Sequence, residues 1–202
     1  MDRTLRTFVD SLYAQNQAHD SAQPDRLQRY RNLEPESAEL LAILATAVGP
    51  RRMLELGTSN GFSTLFLADV ARDLGAELVS VDTDAERTAA AAANLAAAGL
   101  GSTADLRTED AAAVLASSPD RCWDLIFLDA ERPAYPSYWP DLVRSLAPHG
   151  VLVVDNVLSH ADQVREFRTL VSADTRVRAT VVPIGAGLLL VVMTPTSDSV
   201  AA

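Results

Sequence analysis

Residues 53–64 read MLELGTSNGFST, and this stretch decides the fold of the chain. An apolar run contains the acid Glu55, Gly57 and Gly61 follow four residues apart, and a helical pattern begins directly after them. Glycine permits a tight turn and a close approach of the backbone to a ligand. The stretch therefore predicts a strand that turns into a helix beside a bound ligand. An ordinary strand-to-helix turn has the same GxxxG spacing and stays open as the alternative.

The residues of this turn favour one kind of ligand. A dinucleotide fingerprint would place glycines at positions 57, 59 and 62, but the chain has Ser59 and Phe62 at the last two. An acid beside the turn would repel a phosphate, whereas it suits a cationic amino-acid group. The turn thus favours S-adenosylmethionine over NAD or FAD.

Composition limits the classes of protein to consider. The 202 residues are 48% hydrophobic, which suits a single domain over 1–202, with an N-terminal helical segment over 1–35, a core over 36–193 and a flexible tail over 194–202. A lone cysteine and three scattered histidines support neither a disulfide framework nor a zinc site. The net charge of -10 opposes binding to nucleic acid or to an anionic membrane. The chain shows neither a signal-peptide pattern nor an apolar run of membrane-spanning length, so we expect a cytoplasmic protein.

Short β-rich runs alternate with helical patterns from residue 52 onward. This alternation predicts an α/β fold with a mostly parallel sheet and helices on both faces. The predicted strands are MLELG, ELVSVD, ADLRTED, WDLIFLD and GVLVVDN, and the runs RVRATVV and GLLLVVM are expected to close the sheet as an antiparallel hairpin.

Helices are predicted from apolar spacing and from capping residues. Leu5, Phe8, Val9 and Leu12 indicate an N-terminal amphipathic helix, for which packing on the core, a substrate mouth or a dimer interface would each provide a partner. A second helix is expected over 37–48. Capping-box pairs predict the starts of two more helices, at Thr83 with Glu86 and at Ser159 with Asp162.

Four acids stand at the carboxyl ends of successive predicted strands: Glu55, Asp82, Asp129 and Asp155. In a parallel sheet these ends open onto one edge, where ligands of α/β folds bind. Asp82 lies at the distance from the glycine turn at which an acid reaches ribose hydroxyls. We interpret Asp84, its neighbour, as a helix cap. For Asp110, a place beside the adenine and a capping role fit the sequence equally.

The segments WDLIFLDAERPAYPSYW and GVLVVDNVLSH carry the second signal. Asp129 ends one predicted strand, and Asp155 with Asn156 ends the next, so three oxygen donors are expected to converge. Oxygen donors suit Mg²⁺ or a similar hard cation and do not suit zinc. Asp-Asn is also a common turn dipeptide.

These motifs together resemble the cation-dependent class I O-methyltransferases, which include catechol and caffeoyl-CoA O-methyltransferases. The resemblance spans about residues 33–193 and is carried by ELGTSNGFST, VDTDAER, FLDAERPAY and VVDN in that order. It implies a Rossmann-like class I methyltransferase fold, a seven-stranded sheet with its last strand antiparallel, and a homodimer. It also implies methyl transfer from S-adenosylmethionine to a hydroxyl of a small catechol-like acceptor. A metal-independent methyltransferase acting on another small molecule, and a protein that binds S-adenosylmethionine without catalysis, stay open as alternatives.

The resemblance assigns roles by position. The methionine part of S-adenosylmethionine would be held by Glu55, Gly57, Ser59, Gly61 and Ser63, the ribose by Asp82 and the region of the adenine by Asp110. Asp129, Asp155 and Asn156 would hold the metal, with Asp129 also beside the cofactor.

Arg132 is the main departure from the family pattern. The family often has a lysine here that serves as general base, whereas an arginine is always protonated and cannot accept a proton. Our hypothesis is that Arg132 stabilises a phenolate by its charge; a surface ion pair with Glu131 or another acid is the alternative.

Aromatic residues near this loop are candidates for contact with the acceptor. Tyr135, Tyr138, Trp139 and also Tyr30 could enclose an aromatic ring, although aromatic residues at a helix start often serve packing alone. His160 would lie near the metal edge as a cap or a solvated residue.

Overall fold

A seven-stranded sheet forms the centre of the computed structural model, which describes residues 1–25 and 28–194. The strands are β1 (Arg52–Leu56), β2 (Glu77–Asp82), β3 (Asp105–Thr108), β4 (Trp123–Leu128), β5 (Leu146–Val154), β6 (Val177–Val182) and β7 (Leu188–Met193). The helices are α1 (Arg3–Ala22), α2 (Pro35–Val48), α3 (Phe62–Leu74), α4 (Ala85–Ala97), α5 (Ala111–Ser117), α6 (Tyr135–Ser145) and α7 (Arg165–Ala173).

The strand order is β3-β2-β1-β4-β5-β7-β6, so the direction of winding reverses between β1 and β4. Strands β1–β5 run parallel to one another, whereas β7 runs antiparallel to both β5 and β6. This topology confirms the predicted fold class and the C-terminal hairpin. It also places the ligand-binding edge of the sheet at the carboxyl ends of β1 and β4.

Each face of the sheet is covered by its own helices. Met53 of β1 packs on one face with Leu5 of α1, Leu41 of α2 and Leu65 of α3. Leu54 and Leu56 point to the other face, where they join residues of α5, α6 and α7. This alternation follows from the two-residue period of a strand. The apolar face of α1, among the partners considered for it, thus packs on the core.

The starts of α4 and α7 test the predicted caps. Asp84 caps α4, as interpreted from the sequence, because its carboxylate accepts hydrogen bonds from the backbone N–H groups of Glu86 and Arg87; Thr83 of the predicted capping box is not the cap. The predicted helix start at Ser159 is wrong: residues 157–164 form turns, and α7 begins only at Arg165. There the Ser159 hydroxyl bonds Asn156 and His160.

The ends of the chain complete the description. Helix α1 continues through the polar residues Asp20 and Ser21 and ends at Ala22. The tail predicted to be flexible lies, beyond Thr194, outside the described residues. In the described part of the chain, no helix has the combination of length and apolarity that crossing a bilayer requires.

Candidate active site

A cavity of about 560 Å³ opens at the carboxyl ends of the parallel strands. It is lined by residues 29–33, 57–59, 62–63, 81–84, 109–111 and 129–132, with Arg87, Tyr138, Asn156 and His160. The cavity thus extends from the β2 and β3 ends, past the glycine turn, to the β4 end and the residues after β5. This is the edge at which the sequence predicted a ligand.

The two glycines of the turn make close contact with the protein itself. A Cβ on Gly57 would lie 2.0 Å from the carbonyl oxygen of Asp129, and the residue has a φ of +108°. A Cβ on Gly61 would lie 2.9 Å from the Cβ of Ala91 in α4. Gly57 lines the cavity but Gly61 does not. The missing side chains therefore let the turn pack against the β4 end and α4, in addition to shaping the cavity.

Asp82 lies at the end of β2, where it organises the turn. Its carboxylate accepts hydrogen bonds from the backbone N–H groups of Ser59, at 2.8 Å, and Asp84, at 3.0 Å. Ser59, in the left-handed region with a φ of 48°, is held there. Asp82 and Ser59 both line the cavity, as predicted for groups near the ribose and the methionine part of a cofactor.

Glu55 is fully buried below the turn and does not line the cavity. Its carboxylate accepts hydrogen bonds from the hydroxyls of Ser63, at 2.6 Å, and of Thr64 and Ser80, at 2.5 Å each. Burial raises the pKa of Glu55 to about 7, against the three hydroxyl bonds, which lower it. In the structure, Glu55 ties β1 to β2 and to the start of α3, and Ser63 stands between it and the cavity.

Asp110 serves the capping role and also lies in the cavity. Its carboxylate accepts a hydrogen bond from the N–H of Ala113 at 3.1 Å and so caps α5. With its neighbour Glu109 it lines the cavity at the β3 end. The two roles that the sequence left open for Asp110 are therefore compatible.

Asp129, Asp155 and Asn156 converge as predicted. The Asn156 amide nitrogen donates to Asp129 Oδ1 at 3.0 Å and to Asp155 Oδ2 at 2.8 Å. Asn156 adopts a left-handed backbone with a φ of 65°, which directs its side chain back between the two carboxylates. The sheet register explains the meeting, because β4 and β5 are parallel neighbours that end at Leu128 and Val154.

The donor set fits a hard divalent cation. Asp155 is buried, and its Oδ1 has no hydrogen-bond partner among the described residues. Burial raises the pKa of both Asp129 and Asp155, and the charge of Asp129 raises that of Asp155 further. An unpaired buried oxygen and two adjacent carboxylates are the conditions that a cation relieves. No cluster of three or more His, Cys, Asp or Glu suited to a metal occurs in the described residues, and the third polar side chain next to the two carboxylates is the amide of Asn156.

Arg132 lies inside the site and is only 7% exposed. Its Nε donates to Gln163 Oε1 at 2.8 Å, and its charge lowers the pKa values of Asp129 and Asp155, which burial raises. Glu131 instead faces Arg31, with an Nη2–Oε1 distance of 3.8 Å. The alternative of a surface ion pair between Arg132 and Glu131 therefore does not describe this residue.

The predicted aromatic contacts are only partly in place. Tyr138 and Tyr30 line the cavity, whereas Tyr135 and Trp139 do not. Both of the latter pack edge-on against Phe167 in the core; the Tyr135 hydroxyl bonds the backbone of Ala130, and the Trp139 indole donates to Asp174. Their position on the inner side of α6 directs them away from the cavity. His160 lines the cavity and bonds Ser159.

The sequence analysis missed the segment between α1 and α2. Of residues 29–33, which line the cavity, it considered only Tyr30. The segment is held by Asp20, whose two carboxylate oxygens accept from the N–H groups of Tyr30 and Arg31 at 2.8 Å each. No motif marks these contacts, because they join the backbone of a loop to a side chain ten residues earlier.

Comparison with known families identifies relatives over most of the chain. The family model described as O-methyltransferase matches residues 21–194. A catechol O-methyltransferase of Niastella koreensis is 29% identical over 165 residues, which cover 74% of each chain. A probable O-methyltransferase of Mycobacterium tuberculosis is 33% identical over 171 residues, covering 78% of this chain and 76% of the relative.

Solved structures share the fold. An O-methyltransferase from Bacillus cereus, in complex with S-adenosylhomocysteine (SAH), superposes with a TM-score of 0.76 at 25% identity, covering 93% of this chain and 91% of the other. The O-methyltransferase TomG from Streptomyces achromogenes, involved in tomaymycin synthesis and solved with S-adenosylmethionine (SAM), gives the same TM-score and identity. That match covers 96% of this chain and 91% of TomG.

Proposed function

Because this chain belongs to the O-methyltransferase family, we propose that it transfers the methyl group of S-adenosylmethionine to one hydroxyl of a small aromatic vicinal diol, with the help of a divalent cation. The observation that carries the proposal is the convergence of Asp129 and Asn156, which line the cavity, with the buried Asp155, which does not line it and whose Oδ1 has no hydrogen-bond partner among the described residues. The arrangement combines hard oxygen donors with room for a small acceptor beside the glycine turn.

The cofactor would occupy the part of the cavity between the β1 and β3 ends. Asp82 and Asp110 line that part as hydrogen-bond acceptors, and Ser59 and Ser63 line it beside the turn. Glu55 acts through Ser63, whose hydroxyl it holds at 2.6 Å. The approach of Gly57 to Asp129 brings this part next to the donor triad, so that methyl donor and acceptor would be close enough for an in-line displacement.

The triad Asp129, Asp155 and Asn156 would hold the cation, most simply Mg²⁺. To present its oxygen, Asn156 must turn its amide so that Oδ1 replaces Nδ2 between the carboxylates. The cation would supply Lewis acidity, which favours the phenolate of an acceptor whose free pKa is about 10.

Arg132 would stabilise negative charge on the acceptor oxygen. Its guanidinium lines the cavity beside Asp129, and it stays protonated, so the proton must leave to water or to another group. Replacing Arg132 by Ala should lower turnover at saturating acceptor. Full turnover of Arg132→Ala on a good acceptor would remove this role.

Methyl transfer from labelled S-adenosylmethionine to a panel of catechols, with and without a chelator, tests the proposal. We expect turnover that the chelator abolishes and that added Mg²⁺ restores. Turnover that ignores the chelator would favour a second candidate, a metal-independent methyltransferase acting on another acceptor. The orientation of the Asn156 amide supports that candidate, because its nitrogen already links the two carboxylates by hydrogen bonds.

The expectations on assembly, location and partners stay predictions. We propose a homodimer that works in the cytoplasm on a small-molecule acceptor and contacts neither nucleic acid nor membrane. Sedimentation equilibrium at several concentrations tests the dimer.

A further inference from the structure

Arg31 reaches into the cavity with unused hydrogen-bonding capacity. Its Nε is buried without a hydrogen-bond partner in the described part of the chain. Its Nη2 lies 3.8 Å from a carboxylate oxygen of Glu131, whose side chain is 73% exposed. Such an exposed, long contact contributes little stability. The guanidinium therefore keeps most of its donors free for a ligand.

Asn32 presents a second unused polar group to the same cavity. Both its amide nitrogen and its amide oxygen are buried, and neither has a hydrogen-bond partner among the described residues. Native proteins pair nearly all buried polar groups, since a buried polar group without a partner destabilises the folded state. Two adjacent residues with unpaired donors, both in the lining of one cavity, point to a polar ligand group.

The backbone holds these two residues in place before any ligand arrives. The Asp20 carboxylate accepts hydrogen bonds from the backbone N–H groups of Tyr30 and Arg31. The Ser59 hydroxyl donates a hydrogen bond to the Tyr30 carbonyl oxygen at 3.1 Å. The Tyr30 ring stacks on His19 with 4.5 Å between ring centres. Arg31 itself has a left-handed backbone with a φ of 54°, a conformation that side chains rarely adopt and that functional sites often retain.

Arg31 lies at the acceptor end of the cavity. It faces Glu131, two residues after the proposed metal ligand Asp129. Burial raises the pKa of Asp129, while the charges of Arg132 and then Arg31 lower it, which also places both guanidiniums near that carboxylate. The acids Asp82 and Asp110 line the cofactor end instead. A planar guanidinium matches a carboxylate with two parallel hydrogen bonds.

We propose that Arg31 and Asn32 form a subsite for a carboxylate on the acceptor, so that the preferred acceptors are vicinal diphenols that carry an acid group. The proposal deepens the proposed function and rests on it for the position of the diol. The carboxylate would accept hydrogen bonds from the Arg31 guanidinium and the Asn32 amide nitrogen. It would thereby fix which of the two hydroxyls faces the methyl donor.

A matched pair of acceptors tests the subsite. We would measure kcat/KM for 3,4-dihydroxybenzoate and for 3,4-dihydroxybenzamide, which share the ring and the diol, in the wild type and in Arg31→Met, Asn32→Ala and Arg178→Met. Arg178 is exposed on β6, away from the cavity, and serves as the matched arginine control. The acid-over-amide preference should fall about tenfold or more in Arg31→Met, less in Asn32→Ala and not at all in Arg178→Met, as expected for hydrogen bonds to a charged group. An unchanged preference in Arg31→Met, or none in the wild type, overturns the proposal.

The methionine part of the cofactor also carries a carboxylate, which Arg31 could bind instead of a carboxylate on the acceptor. Isothermal titration calorimetry separates these two possibilities. S-adenosylhomocysteine and 5′-methylthioadenosine, which lacks the amino acid, are titrated into the wild type and Arg31→Met. Equal affinities in the two proteins support the acceptor subsite. A loss of affinity for S-adenosylhomocysteine alone, with an unchanged acid-over-amide preference, assigns Arg31 to the cofactor and overturns the proposal.

Failure of the proposed function is distinguishable from failure of the subsite. If no catechol were methylated, the proposed function would fall. The subsite is then decided by titrating the acid and the amide into the protein saturated with S-adenosylhomocysteine and Mg²⁺. Tighter binding of the acid that Arg31→Met removes supports the subsite, and equal binding of the two compounds overturns it.

Discussion

The glycine turn after β1 and the donor triad after β4 and β5 lie side by side but differ in how their polar groups are paired. In the turn, the Glu55 carboxylate accepts hydrogen bonds from three hydroxyls, and the Asp82 carboxylate accepts hydrogen bonds from two backbone N–H groups. In the triad, Asp155 leaves a buried oxygen unpaired, and two neighbouring carboxylates share one amide nitrogen. Both carboxylate oxygens of Glu55 and of Asp82 thus accept hydrogen bonds within the protein, whereas one carboxylate oxygen of the triad has no hydrogen-bond partner among the described residues. The acids of the turn therefore stabilise the protein itself, whereas the unpaired oxygen of the triad is the feature on which the proposed cation site depends.

Replacing Gly57 by Ala should produce the largest effect, because this residue joins the two regions. The added Cβ would lie 2.0 Å from the Asp129 carbonyl oxygen, so either the turn or the β4 end must move. We expect methyl transfer to be lost and the free energy of unfolding to fall by about 3 kcal/mol or more. Urea denaturation measures the second quantity.

Gly49→Ala is the matched control for this change. Gly49 also has a positive φ, of +61°, but nothing lies within 4 Å of its added Cβ. The free energy of unfolding of Gly49→Ala should fall by only about 1 kcal/mol, because of backbone strain. Equal losses in the two variants would show that the close approach to Asp129 is unimportant.

Asp155→Asn should separate activity from stability. The change removes a buried carboxylate next to Asp129 and a proposed metal ligand, so turnover should fall by about a hundredfold or more, while the thermal midpoint in chelator stays equal or rises. Asp162→Asn, which alters an exposed acid paired with Arg165, is the control. If Asp155→Asn lowered the thermal midpoint but kept its turnover, the triad would serve the stability of the fold, as the acids of the turn do, and not catalysis.

The pH dependence of stability should reveal Glu55. Its pKa is raised from 4.5 to about 7 in the folded protein, so between these values the folded state binds more protons than the unfolded one. The free energy of unfolding should therefore fall as pH rises from about 4.5 to about 7. Glu55→Gln should remove the contribution of Glu55 to this pH dependence. The contributions of Asp129 and Asp155, whose pKa values are also raised, should remain. Denaturation curves at several pH values that keep the same slope in both proteins would contradict the raised pKa.

The smallest effect is expected at the cap of α4. Asp84→Ala should lower the free energy of unfolding by about 1 kcal/mol, because it removes the acceptor for the N–H groups of Glu86 and Arg87. Thr83→Ala, next to it, should change stability by less than about half as much. Urea denaturation measures both losses. A larger loss of stability in Thr83→Ala than in Asp84→Ala would support the capping box of Thr83 and Glu86 that the sequence predicted.

The sequence predicted the sheet and its ligand-binding edge because both depend on local patterns. Apolar runs ending in Glu55, Asp82, Asp129 and Asp155 identify parallel strands and bring the acids to one edge. The meeting of Asp129 with Asn156 followed from the same pattern. The direction of individual side chains was harder to predict from the sequence. Glu55 points below the turn because it lies one residue before the end of β1, on the face of the sheet that α3 covers.

The remaining errors concern contacts between distant or irregular segments. Tyr135 and Trp139 lie on the inner face of α6, which the packing of α7 determines and which the loop sequence does not show. The turns after Asn156 delay α7 beyond Ser159, since the side chain of Ser159 bonds inward to Asn156. The segment around Arg31 has no periodic pattern, and its position depends on Asp20 and Ser59.

That segment has a consequence for the evolution of acceptor choice. Residues 29–33 belong to no strand or long helix, yet they contribute to the cavity lining Arg31 and Asn32, whose buried Nε and amide atoms have no hydrogen-bond partner in the described part of the chain. The hydrogen bonds that join their backbone to Asp20 and Ser59 do not involve the side chains of Arg31 and Asn32, so we expect substitutions at these two residues to preserve the sheet and the glycine turn. A duplicated gene could thus acquire a new acceptor by changing one short peptide while it keeps the machinery for the methyl donor. For protein engineering, exchange of this peptide between relatives is the most economical route to a new product.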